Sequence, residues 1–78
     1  MLYVVIKHEN LVETDEITVL CVTDTKEKAY RQLLMEAEPL YEQYNTIEDL
    51  ETSKKFTDNN REILIELSIH ESIVINWW

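Results

Sequence analysis

Apolar and polar positions change period along the chain, and the changes mark its elements. Leu2–Lys7 is β-branched and aromatic, with apolar residues at successive positions. That is the pattern of a strand covered on both faces, hence central in a sheet. Glu9–Asp15 is polar and acidic apart from Leu11-Val12 and reads as a long hairpin loop. A second strand is expected over Glu16–Thr23, with Ile17, Val19 and Cys21 on one face and Leu20 and Val22 on the other.

Beyond Thr23 the period becomes helical. Ala29, Tyr30, Leu33, Leu34, Ala37, Tyr41 and Tyr44 recur at spacings of three and four, which predicts one main amphipathic helix over about residues 25–44. Asp24 is the expected N-cap, its carboxylate accepting from a first-turn amide while Glu27 reaches back in a capping box. Glu27 and Arg31 have the spacing and order of a favourable helical ion pair. Pro39 has no amide hydrogen for the Met35 carbonyl, so a kink or break is expected there, with a second helix restarting at Pro39 as one outcome.

Asn45-Thr46 caps or breaks the helix, and Ile47–Lys54 is expected to be a short helical turn or, failing that, a strand. Asp58-Asn59-Asn60 marks a turn. Arg61–His70 then alternates strictly, with Ile63, Ile65, Leu67 and Ile69 on one side and Leu64, Glu66, Ser68 and His70 on the other. Ile73-Val74-Ile75 extends this strand or forms a last one. The expected architecture is a single α+β domain over residues 1–78: an antiparallel sheet of three to five strands with the helix on one face, in the order β-β-α-(short helix or strand)-β-(β).

Composition narrows the function classes. With 78 residues the chain buries only about 60% of its unfolded surface, yet 45% hydrophobic content suffices for a core. Sixteen acidic residues against seven basic ones give a net charge of -9. Direct binding to nucleic acid or an anionic membrane is excluded on that ground, because phosphates call for clustered Lys and Arg. One cysteine, Cys21, forms no intramolecular disulfide, and no apolar run approaches the roughly 20 residues of a membrane span. A cytoplasmic location is expected. The chain has no glycine, so phosphate-cradling loops of the P-loop or dinucleotide type are ruled out.

Candidate chemistry is sparse. His8-Glu9 and His70-Glu71 offer two imidazoles and two carboxylates, a weak candidate metal set that needs the first and the late long strand to bring them together. Solvated histidines at strand ends are the simpler reading. Cys21 in a β-branched strand is expected to be a buried, inert thiol. Ser53, Ser68 and Ser72 lack an elbow to expose them. No catalytic residue, metal or cofactor is expected, and the protein is read as a non-enzyme.

Carboxylates cluster twice without an intervening Lys or Arg: Glu9, Glu13, Asp15 and Glu16, then Glu36, Glu38, Glu42, Glu48, Asp49 and Glu51. Both clusters suit a solvated surface, or an interaction face for a partner protein with a basic groove. Trp77-Trp78 adds candidate contact residues, since interface hot spots are enriched in Trp. The partner-binding candidates are therefore Glu13, Asp15, Glu16, Glu36, Glu38, Glu42, Glu48, Asp49, Glu51, Trp77 and Trp78.

Tyr3-Val4-Val5, the acidic loop, and Thr23-Asp24-Thr25-Lys26-Glu27-Lys28-Ala29 opening a helix resemble a loose group of small uncharacterised bacterial and phage proteins. The resemblance spans roughly residues 1–40 and implies a hairpin feeding a helix, with no activity attached. Size and acidity are also similar to those of phage-encoded inhibitors of host defence, some of which mimic DNA. The leading expectation is a non-catalytic acidic protein-interaction module, an inhibitor or adaptor of a basic nucleic-acid-binding protein. The alternatives are a structural homodimer or assembly component joined through strand edges and the terminal tryptophans, and thirdly a small metal-dependent enzyme.

Overall fold

The structure, a computed structural model, describes residues 1–10, 14–58 and 63–72. Its elements are β1 (Leu2–Asn10), β2 (Asp15–Thr23), α1 (Lys26–Gln43), β3 (Asn45–Asp49), β4 (Ser53–Thr57) and β5 (Ile63–Ser72). The strands form one antiparallel five-stranded sheet in the order β2-β1-β5-β4-β3, and α1 packs on it. The α+β class and the covering helix agree with the sequence reading. The stretch after the helix differs in part: two strands, β3 and β4, stand where a short helical turn or a single strand was expected.

Cross-strand charge explains that hairpin. Asp49 lies opposite Lys54 and Glu48 opposite Lys55, so each acid on β3 meets a base on β4. Opposed charges on neighbouring strands favour pairing. The Leu50 amide donates to the Ser53 carbonyl at 2.8 Å to close the turn, and the Ile69 amide donates to the Thr52 carbonyl at 2.9 Å to tie it to β5.

The helix begins one residue later than expected. Thr25 is the N-cap, extended at φ -127 and ψ 142, and its hydroxyl accepts from the Lys28 amide at 3.3 Å. Asp24 instead holds the Lys28 ammonium at 3.5 Å. Glu27 then falls on the second helical position, too early to close a capping box. Glu27 and Arg31, both exposed, do not form the ion pair their spacing suggested.

Pro39 does not split the helix, and α1 runs unbroken for 18 residues. Both Pro39 and Met35 lie on the solvent side, so water can satisfy the carbonyl that loses its partner. Ala37 and Leu40, on either side of the proline, are buried and hold the segment down. The helix ends at Tyr44, whose amide donates to the Leu40 carbonyl at 2.9 Å.

One face of the sheet meets the helix. Val5, Phe56, Ile65 and Leu67 interlock there with Ala29, Leu33, Ala37 and Leu40. Ile65, Leu67 and Ile69 therefore point inward as their alternation indicates. A bulge alters β2: Val5 faces Cys21 but Ile6 faces Val19. Since Val5 and Ile6 point to opposite faces, so do Cys21 and Val19, which corrects the expectation that they share one. Ile17, Val19 and Val22 consequently lie on the sheet face that α1 leaves open. The expected strand Ile73–Ile75 lies outside the described residues.

Candidate functional site

The β3–β4 hairpin and α1 enclose a cleft of roughly 310 Å³, lined by Tyr30, Leu34, Asp49, Leu50, Glu51 and Lys54. Its position follows from the helix pattern. Ala29, Leu33, Ala37 and Leu40 make the buried stripe, which leaves Tyr30 and Leu34 beside it on the flank turned toward the hairpin. Leu34 and Leu50 are both more than half exposed. The cleft thus has an aliphatic floor open to solvent and carboxylates at its rim.

A polar knot fixes one wall. Lys54 is only 6% exposed, and its ammonium donates to the Asp49 carboxylate and to the Leu50 carbonyl at 3.2 Å. The Tyr41 hydroxyl donates to the same Asp49 oxygen at 2.8 Å, and the Tyr41 ring meets Phe56 edge-on with centroids 5.4 Å apart. Core, helix and hairpin turn are joined through these side chains. Burial pulls the Lys54 ammonium down, but hydrogen bonds with Asp49 and Tyr41 outweigh it and hold its pKa above the ordinary value. The same hydrogen bonds, from Lys54 first and Tyr41 second, hold the Asp49 carboxyl below the usual carboxylate range. Burial, with Asp49 adding to it, raises the Tyr41 phenol.

All five lysines are engaged by the chain's own acids. Lys7 lies 3.3 Å from Glu9, Lys26 3.7 Å from Glu71, Lys28 3.5 Å from Asp24, and Lys55 3.4 Å from Glu48, while Asp49 holds Lys54. Glu48 also accepts from the Ser53 hydroxyl at 2.9 Å. The second acidic cluster therefore divides. Glu48 and Asp49 are committed inside the hairpin, whereas Glu36, Glu38, Glu42 and Glu51 have no cationic partner among the described residues. Arg31 is on the same helix, but it lies about 10 Å along the axis from Glu38, near one screening length at physiological salt.

The other candidates are dispersed. Asp15 and Glu16 open β2 at the far edge of the sheet, with Asp15 3.9 Å from the His8 imidazole. Glu13, Trp77 and Trp78 lie outside the described residues. β1 and β5 are neighbours, but His8 is opposite Glu66 and His70 opposite Val4. Antiparallel pairing thus sends the two His-Glu dipeptides to opposite ends of the strand pair. His70 lies 2.9 Å from the Ser68 hydroxyl, and no group of three or more metal-ligating side chains exists among the described residues. Cys21 is a free thiol, half-buried on β2. No described helix is long and apolar enough to cross a membrane.

Sequence reasoning missed the cleft. It placed Tyr30 and Leu34 in the core stripe and singled out neither Leu50 nor Lys54. One signal was available: Glu48 with Lys55 and Asp49 with Lys54 are symmetric about Glu51-Thr52, which is the spacing of a charge-paired hairpin. In comparisons with known proteins the chain matches no family model, no curated protein and no solved structure.

Proposed function

We propose that the protein is a non-catalytic interaction module that docks a basic segment of another protein into the cleft between α1 and the β3–β4 hairpin. One observation carries this reading. Internal ion pairs engage every lysine, so Glu51 in the cleft lining meets no cation among the described residues beside the exposed Leu34–Leu50 floor. Nor do Glu38 and Glu42, about one and two helical turns along α1 from Leu34. An aliphatic side chain can fill the floor while Lys or Arg residues meet the rim, a mode in which charge speeds encounter and apolar burial retains the complex. A protein whose basic groove otherwise holds nucleic acid has the complementary chemistry. Occupying that groove would make this chain an inhibitor of the kind that phages and mobile elements carry.

The test is capture of partners from a lysate at low and high salt, with the wild type beside a Glu38→Lys, Glu42→Lys, Glu51→Lys variant. A partner retained by the wild type, released by salt and lost by the variant is expected. Capture indifferent to both salt and charge reversal would contradict the proposal.

A further inference from the structure

The two outer strands of the sheet end it differently. β3 has five residues, a bulge between Thr46 and Glu48, and acids tied into the hairpin. β2 has nine residues and carries no charge or proline from Ile17 to Thr23. Its open-face side chains Ile17, Val19 and Val22 are 69%, 56% and 55% exposed, and they adjoin Val4 and Ile6 on β1. A long apolar edge with no further strand beyond it among the described residues invites another strand.

We propose that a second copy of this chain occupies the edge, with the two β2 strands pairing antiparallel about a two-fold axis and the two sheets becoming one. Charge selects both the occupant and its direction. At -9 the chain repels itself wherever acids of two copies stack. The charges of β2, Asp15 and Glu16, are its first two residues, so antiparallel self-pairing carries each copy's acids to the far end of the other strand. Parallel pairing would stack them. A basic segment would meet no carboxylate along residues 17–23. Asp24, just beyond that far end, is already held by Lys28 at 3.5 Å.

The stretch before the bulge sets the register. Ile17 and Val19 lie on the open face, and Thr18 on the helix face. Directly opposed residues share a face. Before the bulge the strand is regular, so Ile17 stands against the partner subunit's Val19, and Thr18 against the partner subunit's Thr18 on the two-fold axis. This isologous contact is that of a closed dimer.

Native mass spectrometry and sedimentation equilibrium from micromolar to millimolar chain test the proposal. A dimer whose population rises with concentration is expected. Val19→Lys and Ile17→Lys, each placing a charge on the edge, should weaken it about tenfold or more, equivalent to ~1.4 kcal/mol, while circular dichroism stays that of the wild type. Two variants guard against one misfolding. Thr18→Cys in a Cys21→Ser background should form a covalent dimer across the two-fold axis under mild oxidation. A monomer at every concentration overturns the proposal, as does a dimer untouched by both lysine variants. A lysine-sensitive dimer that Thr18→Cys fails to cross-link overturns the antiparallel register. The cleft lies beside the opposite edge, so failure here leaves docking of a basic segment unaffected.

Discussion

The β3–β4 end of the sheet and the β2 end are built from similar lengths of chain and are held by different forces. At the hairpin end, Phe56 is fully buried, Lys54 is nearly so, and three ionisable side chains interlock over the helix flank. At the β2 end, apolar side chains stand in solvent and nothing described covers them. The hairpin end is locked by buried and charged side chains, and the β2 end presents its apolar side chains along an open strand edge. The two proposed associations divide the same way: charged docking beside the hairpin, and strand pairing along β2.

Truncation of an apolar residue at each end is the strongest test of this contrast. Phe56→Ala empties the core and should cost about 3–5 kcal/mol in urea unfolding. Ile17→Ala, at an exposed position, should change the stability of the dilute monomer by no more than about 0.5 kcal/mol. Comparable costs would mean that the two ends are not distinguished as described.

A smaller effect separates the members of the polar knot. Asp49→Ala leaves a nearly buried ammonium with the Leu50 carbonyl as its main partner, whereas Lys54→Met removes the buried charge and returns Asp49 to water. Asp49→Ala should therefore lower the Tm more than Lys54→Met does. The reverse order would show that the lysine is not the group needing its partner.

The pH dependence of the knot is weaker still but has a definite sign. Asp49 has a depressed pKa, so its contribution is complete above the usual carboxylate range and is lost as pH falls through its folded value. Lys54 has a raised pKa, so its contribution is complete below the usual lysine value and is lost as pH rises through its folded value. Between those limits the knot should be insensitive to pH. Asp49→Asn should flatten the acid-side decline in Tm seen by scanning calorimetry, and an unchanged decline would assign it to other carboxylates.

What was legible in the sequence follows the same division. β5 and the buried helix stripe announce themselves because each is half-covered, so Ile65, Leu67, Leu33 and Ala37 carry the period of their element. The β3–β4 hairpin has no such alternation. Opposed charges close it, and its turn uses neither glycine, asparagine nor proline, so periodicity could not report it. Pro39 was weighed by its local cost, which burial of Ala37 and Leu40 overrides. The β2 bulge, which decides what faces solvent, is a property of pairing with β1 and leaves no mark on β2 alone.

The acidic clusters were visible as residue types but not as a site. Register decides that Glu48 and Asp49 are spent on Lys55 and Lys54, whereas Glu38, Glu42 and Glu51 meet no cation among the described residues. Leu34 sits at a helical spacing that suits the core stripe, and only the position of the hairpin makes it part of a cleft floor.

Docking at that cleft is tested most directly by heteronuclear NMR of the labelled protein titrated with a short peptide alternating lysine and leucine. Amide shifts centred on Tyr30, Leu34, Leu50 and Glu51, abolished by high salt and by the Glu38→Lys, Glu42→Lys, Glu51→Lys variant, are the predicted result. Shifts spread evenly over the acidic surface, or centred on Asp15 and Glu16 at the far edge, would contradict it.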